Sequence, residues 1–84
     1  FANKKAAVIT GAASGIGKEL ARVYADNGAK VALSDLDEDK IKRAAAELKE
    51  KGMDTIGIRC DVTKENEVEA LFFQTLKKFD RIDV

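Results

Sequence analysis

The run Thr10 to Glu19, TGAASGIGKE, follows the apolar residues Ala6 to Ile9 and carries glycines at positions 11, 15 and 17. A continuous apolar run that ends in a glycine turn is the pattern of a strand buried on both faces. Each glycine lacks a Cβ where a chain turns sharply, approaches a ligand closely or packs against a strand. A helix opening near Gly15 points free N–H groups and its positive dipole end over the loop, an arrangement suited to a diphosphate. A merely tight strand-to-helix turn would use the same glycines. The P-loop pattern G-x-x-x-x-G-K-[ST] does not fit, because Gly11 lies one residue too far upstream and Glu19 stands where a hydroxyl must ligate magnesium.

Working outward, Ile16, Leu20, Val23 and Tyr24 recur at helical spacing and Asn27-Gly28 supplies a left-handed stop. This predicts an amphipathic helix from Gly15 to Asn27 with those residues on its apolar face. Val31, Ala32 and Leu33 read as a second buried strand. Asp37 suits the N-cap of a second helix, with Ile41, Ala44, Ala45 and Leu48 inward and Gly52 at its close. Glu38 with Lys42, Asp39 with Arg43 and Glu47 with Lys51 are placed for i,i+4 pairs on its solvated side. Thr55 to Cys60 alternates with period two, as expected of an edge strand with one wetter face. Thr63 is predicted to cap a third helix whose inner face is Val68, Leu71, Phe72, Thr75, Leu76 and Phe79, and Ile82-Asp83-Val84 reads as the start of a fourth strand.

Alternating strands and short helices predict an α/β fold with a parallel sheet and right-handed crossovers, whose ligands sit beyond the carboxyl ends of the strands. Three segments therefore matter: Thr10 to Gly17, Asp35-Leu36, and Cys60-Asp61-Val62. Asp35 ends the second strand 18 positions after Gly17, where a dinucleotide fold places the acid that accepts from the adenosine ribose hydroxyls. An anionic side chain there would face the 2′-phosphate of NADP, and like-charge contact favours NAD by about 100-fold or more. Capping of the second helix is the other use for Asp35, although Asp37 fits that role better. Asp61 could accept from an adenine amino group while Val62 packs on the ring, or Asp61 could serve only to start the third helix. Cys60 has no neighbouring base in the sequence and reads as a small buried apolar group.

Composition limits the alternatives. The chain has 84 residues, 45 % hydrophobic and 36 % charged, which suits one folded domain at most. Lys+Arg 15 balances Asp+Glu 15, so charge offers no case for nucleic acid or an anionic membrane surface. The pairs Lys4-Lys5 and Lys77-Lys78 read as solvated element ends. One cysteine and no histidine leave no intrachain disulfide and deprive a zinc site or a triad of its usual parts, so no metal site is expected and a reducing cytoplasm fits best. No apolar run approaches the ~18 residues of a membrane span and no signal-peptide pattern is present. Phe1 in place of Met suggests that leading residues precede it.

Thr10-Gly11-x-x-x-Gly15-x-Gly17, the acid after strand two, Asp61-Val62 after strand three and Arg81-Ile82-Asp83-Val84 together resemble the N-terminal part of a short-chain dehydrogenase/reductase. The resemblance spans nearly the whole chain. It implies a Rossmann-type doubly wound parallel sheet, present in part, with residues 1–84 as the N-terminal part of a single NAD-binding domain. It further implies that Gly11, Ser14, Gly15, Ile16 and Gly17 line the pyrophosphate and approach the nicotinamide, that Asp35 holds the adenosine ribose, that Asp61 and Val62 bound the adenine, and that Asp83 is a structural acid. Relatives that prefer NADP carry a basic residue at or near the Ser14 or Leu36 position, and neither is basic here.

The family's catalytic Ser and Tyr-x-x-x-Lys pair are missing from this chain, and Tyr24 does not match that Tyr. The expectation is thus an NAD-binding half of an oxidoreductase that moves hydride between nicotinamide and an alcohol or ketone, with no catalytic residue of its own, from a longer homo-oligomeric parent, a tetramer or dimer. A catalytically silent nucleotide-binding half-domain and a Rossmann-like S-adenosylmethionine-dependent methyltransferase fragment are the alternatives. A first strand buried on both faces needs a neighbour on its far side, which in the order 3-2-1-4 is strand four.

Overall fold

The computed structural model describes residues 5–83; Phe1, Lys4 and Val84, on which some sequence expectations fall, lie outside them. The elements run β1 (Ala6–Ile9), α1 (Gly15–Asp26), β2 (Lys30–Asp35), α2 (Glu38–Glu50), β3 (Thr55–Arg59) and α3 (Glu65–Phe79). The strands form one parallel sheet in the order β1-β2-β3, with Ile9 opposite Leu33 and Leu33 opposite Gly57. Alternation along β2 sends Val31 and Leu33 to one face and Ala32 to the other. Val31 and Leu33 pack with Ala21 and Ala25 of α1 and with Ile41, Ala44 and Leu48 of α2. Ala32 packs with Ala6 and with Phe79 of α3. The sheet is therefore wound on both faces.

The change of face at α3 returns the chain across the sheet to the free edge of β1. There the Asp83 N–H donates to the Ala6 carbonyl at 2.8 Å and the Ala6 N–H donates to Asp83 Oδ2 at 2.9 Å. Arg81 also donates to Asp83 Oδ2, at 2.7 Å, which fixes the carboxylate against β1. The contact lies where a fourth strand of the 3-2-1-4 order belongs. Ile82 and Asp83 do not themselves form a strand, since one backbone bond to β1 is too little for a ladder.

Several local expectations hold. Asp37 caps α2 through Oδ1, which accepts from the Lys40 N–H at 3.1 Å, and Ile41, Ala44, Ala45 and Leu48 are all buried. β3 is an edge strand with half-buried Ile56, Gly57 and Ile58. A Cβ on Gly57 would lie 2.8 Å from the Ile41 carbonyl oxygen, so this glycine lets α2 lie close on the sheet.

Other expectations are corrected. α1 buries Ala21 and Ala25, whereas Ile16 is 88 % exposed and Leu20 and Val23 also face solvent; Tyr24 packs at the margin of the core. The cause is close approach. A Cβ on Gly17 would lie 2.3 Å from the Gly11 carbonyl oxygen, and only a stripe of small residues keeps α1 at that distance. α3 starts at Glu65 with Lys64 at the N-cap, not Thr63, because the Thr63 N–H and hydroxyl both donate to Asp61 Oδ1. Its buried stripe is Leu71, Thr75 and Phe79, a single i,i+4 row that leaves Phe72 and Leu76 exposed. Glu47 reaches across to Lys18 of α1 at 3.4 Å rather than along its own helix to Lys51, an exposed pair of small energetic weight. Among the described residues no helix is long and apolar enough to cross a membrane.

Candidate functional site

The carboxyl ends of the three strands open into a cleft of about 430 Å³, walled by Thr10-Gly11, Ser34-Asp35-Leu36 and Cys60 to Thr63. A smaller crevice of about 140 Å³ between α1 and α2 touches Gly15, but the Lys18–Glu47 pair walls it and it lies on the helix flank, away from the strand ends.

The floor of the site is the loop from β1 to α1. Gly11 and Gly15 have φ of +65° and +64°, the left-handed region that a side chain strains to occupy. A Cβ at either would meet nothing within 4 Å, so the space above both is open. Gly17 has a different task, the close packing of α1 on Gly11. Ser14 is the extended N-cap of α1, yet its side chain makes no cap hydrogen bond and the first turn contains no acid. The first amides of a helix have no partner within it, and here neither a capping side chain nor a carboxylate meets them. They remain free donors around a positive helix end.

Asp35 ends β2 beside this loop. Its Oδ2 accepts from the Ala13 N–H at 3.1 Å and its Oδ1 from the Asp37 N–H at 3.3 Å, so both oxygens are oriented by backbone. The Ala12 N–H, one residue earlier, donates to the Ser34 carbonyl at 2.9 Å. The third wall is braced by Glu67, whose Oε1 accepts from the Asp61 N–H at 3.0 Å and from Arg59 at 2.7 Å. Asp61 Oδ1 takes the Thr63 hydroxyl at 2.6 Å and the Thr63 N–H at 3.0 Å; the hydroxyl above all, then the backbone bond, lowers the Asp61 carboxyl below its ordinary value. Leu36 and Val62, each 58 % exposed, give the cleft apolar surface, and Cys60 is buried within its wall.

Of the residues singled out from the sequence, Gly11, Asp35, Leu36, Asp61 and Val62 line the cleft, while Ser14, Gly15, Ile16 and Gly17 form the adjoining start of α1. Ser34 and the Glu67 brace lie outside the three segments that the sequence singles out, Thr10 lies within the first of them, and Thr63 stands at the cleft instead of at the α3 N-cap. Ser34 is fully buried at the cleft with its hydroxyl unpartnered. A glutamate at the third helical position, where it reaches back to preceding amides, is the signal that could have marked Glu67. The described residues hold no cluster of three or more metal-ligating side chains. What the arrangement offers is recognition: free amides for an anion, a fixed carboxylate for a pair of hydroxyls, and apolar surface for a flat ring.

Comparison with known proteins points the same way. The family model for short chain dehydrogenases matches residues 5–84. A 7α-hydroxysteroid dehydrogenase of Escherichia coli is 39 % identical over 80 residues, which cover 95 % of this chain and 31 % of the relative. An L-fucose dehydrogenase of Oryctolagus cuniculus is 43 % identical over 79 residues, covering 94 % and 26 %. Among solved structures, a short-chain dehydrogenase/reductase from Burkholderia phymatum in complex with NAD superposes with a TM-score of 0.94 at 38 % identity, covering 96 % of this chain and 29 % of that one. The chain spans about a third or less of the length of the relatives it matches. With the family model matched over nearly the whole chain and the fold superposing on that of a relative, the chain belongs to the short-chain dehydrogenase family.

Proposed function

We propose that this chain is the NAD-binding part of an oxidoreductase that transfers hydride between nicotinamide and an alcohol or ketone. The observation that carries the proposal is the start of α1: uncapped, free of acid, set over two left-handed glycines with open space above them, and flanked by the oriented carboxylate of Asp35. That donor set fits a dinucleotide. Gly11, Ser14, Gly15 and Ile16 line the pyrophosphate and approach the nicotinamide, with Gly17 holding α1 close enough for its amides to do so; Asp35 takes the adenosine ribose hydroxyls, and Leu36, Asp61 and Val62 the adenine end. Bound NAD supplies the hydride acceptor, and the residues here bind and orient it. A relative solved with NAD and a 7α-hydroxysteroid dehydrogenase solved with NADH and 7-oxo glycochenodeoxycholic acid support the cofactor and the alcohol/ketone class.

Asp35 favours NAD over NADP by charge, and Lys18, the cation nearest the loop in sequence, is turned toward Glu47. The catalytic acid/base falls to the part of the parent outside this chain. The parent is a homo-oligomer, a dimer or tetramer, working in a reducing cytoplasm, in keeping with the single unpaired Cys60. Calorimetric titration of the full-length protein with NAD and NADP tests the reading. NAD is expected to bind about 100-fold more tightly and Asp35→Ala to erase most of that preference. Equal affinity for the two in the unaltered protein, or no binding of either, overturns it.

A further inference from the structure

The loop between Gly11 and Gly15 is tied to β2 by two successive amides. The Ala12 N–H donates to the Ser34 carbonyl at 2.9 Å, a backbone bond that substitutions leave in place. The Ala13 N–H donates to Asp35 Oδ2 at 3.1 Å, a bond that depends on one side chain. Ala12 is fully buried and immobilised, whereas the chain beyond it must still turn through Gly15, at φ +64°, to enter α1. Glycine permits many other conformations at that point. The Ser14 side chain makes no cap bond that would narrow them. The Asp35 carboxylate is itself held, since Oδ1 accepts from the Asp37 N–H at 3.3 Å. Each carboxylate oxygen has about two acceptor positions, so each anchor leaves room for one ligand hydroxyl.

We propose that Asp35 is a positioning residue for the glycine loop in addition to an acceptor for the ribose. Its carboxylate clasps the Ala13 amide before any ligand arrives, holds the α1 amides in their receiving geometry, and so couples the diol end of the site to the diphosphate end. The ligand part of this inference rests on the proposed NAD function; the clasp itself does not.

The full-length protein and its Asp35→Ala and Asp35→Asn variants are titrated with NAD and with the NAD analogue that lacks both adenosine-ribose hydroxyls. A residue that serves the ribose alone would leave affinity for the analogue untouched by Asp35→Ala, or raise it by removing a like charge near the phosphates; either result overturns the clasp. The expected result is analogue binding weakened about tenfold in Asp35→Ala. Asp35→Asn, which keeps one carbonyl for the Ala13 amide, is expected to recover part of the loss. Hydrogen exchange of the Ala13 amide in the ligand-free protein gives a second readout: about tenfold faster exchange in Asp35→Ala supports the clasp and equal exchange refutes it. Should the unaltered protein bind neither NAD nor the analogue, the NAD reading fails while the exchange measurement still decides the clasp.

Discussion

The starts of α1 and α2 stand just beyond neighbouring parallel strands and are built in opposite ways. α2 satisfies itself: Asp37 caps the Lys40 N–H at 3.1 Å, and Glu38 and Asp39 place negative charge in the first turn against the positive helix end. α1 does neither, with an idle Ser14 side chain at its N-cap and no acid in its first turn. A side-chain cap stabilises a helix by about 1 kcal/mol, and serine is among the residues best able to supply one. A capable residue is thus left unused between two left-handed glycines, and under the proposed function it is the cofactor's pyrophosphate that would complete this helix. The two ends share a fold position and differ in that one is capped by its own side chain and the other is not.

The largest expected effect comes from the close packing of α1 on its own glycine loop. In Gly17→Val the new Cβ would lie 2.3 Å from the Gly11 carbonyl oxygen and 2.8 Å from its carbon, and both are backbone atoms that a rotamer change cannot move. The loop must separate from α1, at about 3 kcal/mol or more by analogy with overpacked cores. Urea unfolding of the full-length protein should show that loss together with lost NAD binding. Stability within about 0.5 kcal/mol of the unaltered protein would mean that the close approach is not needed.

Next in size is a variant that makes α1 resemble α2. Ser14→Asp adds the cap and the negative charge that the second helix already has. It should stabilise the ligand-free protein by about 0.5 to 1 kcal/mol and weaken NAD binding about tenfold, because its carboxylate competes for the same amides and repels the phosphates. Opposite signs in melting temperature and affinity are the signature. If both rise together, the free amides of α1 are not where the pyrophosphate binds.

How much of this contrast could be read in advance differs by residue. The Asp37 cap, the inward row Ile41, Ala44, Ala45 and Leu48, and the edge character of β3 follow from local pattern, and the structure keeps them. The inner face of α1 is not legible in the same way, because two stripes, Ile16-Leu20-Val23 and Ala21-Ala25, both have helical spacing. Which one is buried depends on how closely the helix approaches the sheet, and that distance is fixed by Gly17 meeting Gly11. Local pattern places the Asp61 wall but not its brace, since the Glu67 bond to the Asp61 amide exists only once the loop has folded back onto α3. Spacing along the chain placed the pieces of the site; contacts set across it by tertiary folding, such as Ala13 to Asp35, were out of its reach.

The converse substitution at α2 should be smaller and confined to stability. Asp37→Ala removes the side chain that receives the Lys40 N–H, a loss of about 1 kcal/mol in urea unfolding, yet the backbone N–H of residue 37 still donates to Asp35 Oδ1 and keeps that carboxylate in place. NAD affinity should therefore be unchanged. A fall in affinity as large as that caused by Ser14→Asp would erase the distinction between the two helix starts.

The smallest effect extends the contrast to a third place where backbone amide meets carboxylate, the join of the post-α3 segment to β1. Arg81 first, then the Ala6 N–H, lowers the Asp83 carboxyl below its ordinary 3.8. A carboxylate with a depressed folded value adds stability that is fully present above the unfolded value and is lost as pH falls through the folded one. The join should hold unchanged from neutrality down to about pH 5 and weaken only below 3.8, whereas Asp83→Asn, which cannot ionise, should lack that acid dependence. The Arg81 side chain is 52 % exposed and that of Asp83 21 %, which keeps the effect modest and salt-sensitive. The check is the difference in urea midpoint between the two proteins at pH 7 and at pH 3. A difference that narrows on acidification fits a charged join, and one that stays constant assigns the join to the backbone bond between Asp83 and Ala6 alone.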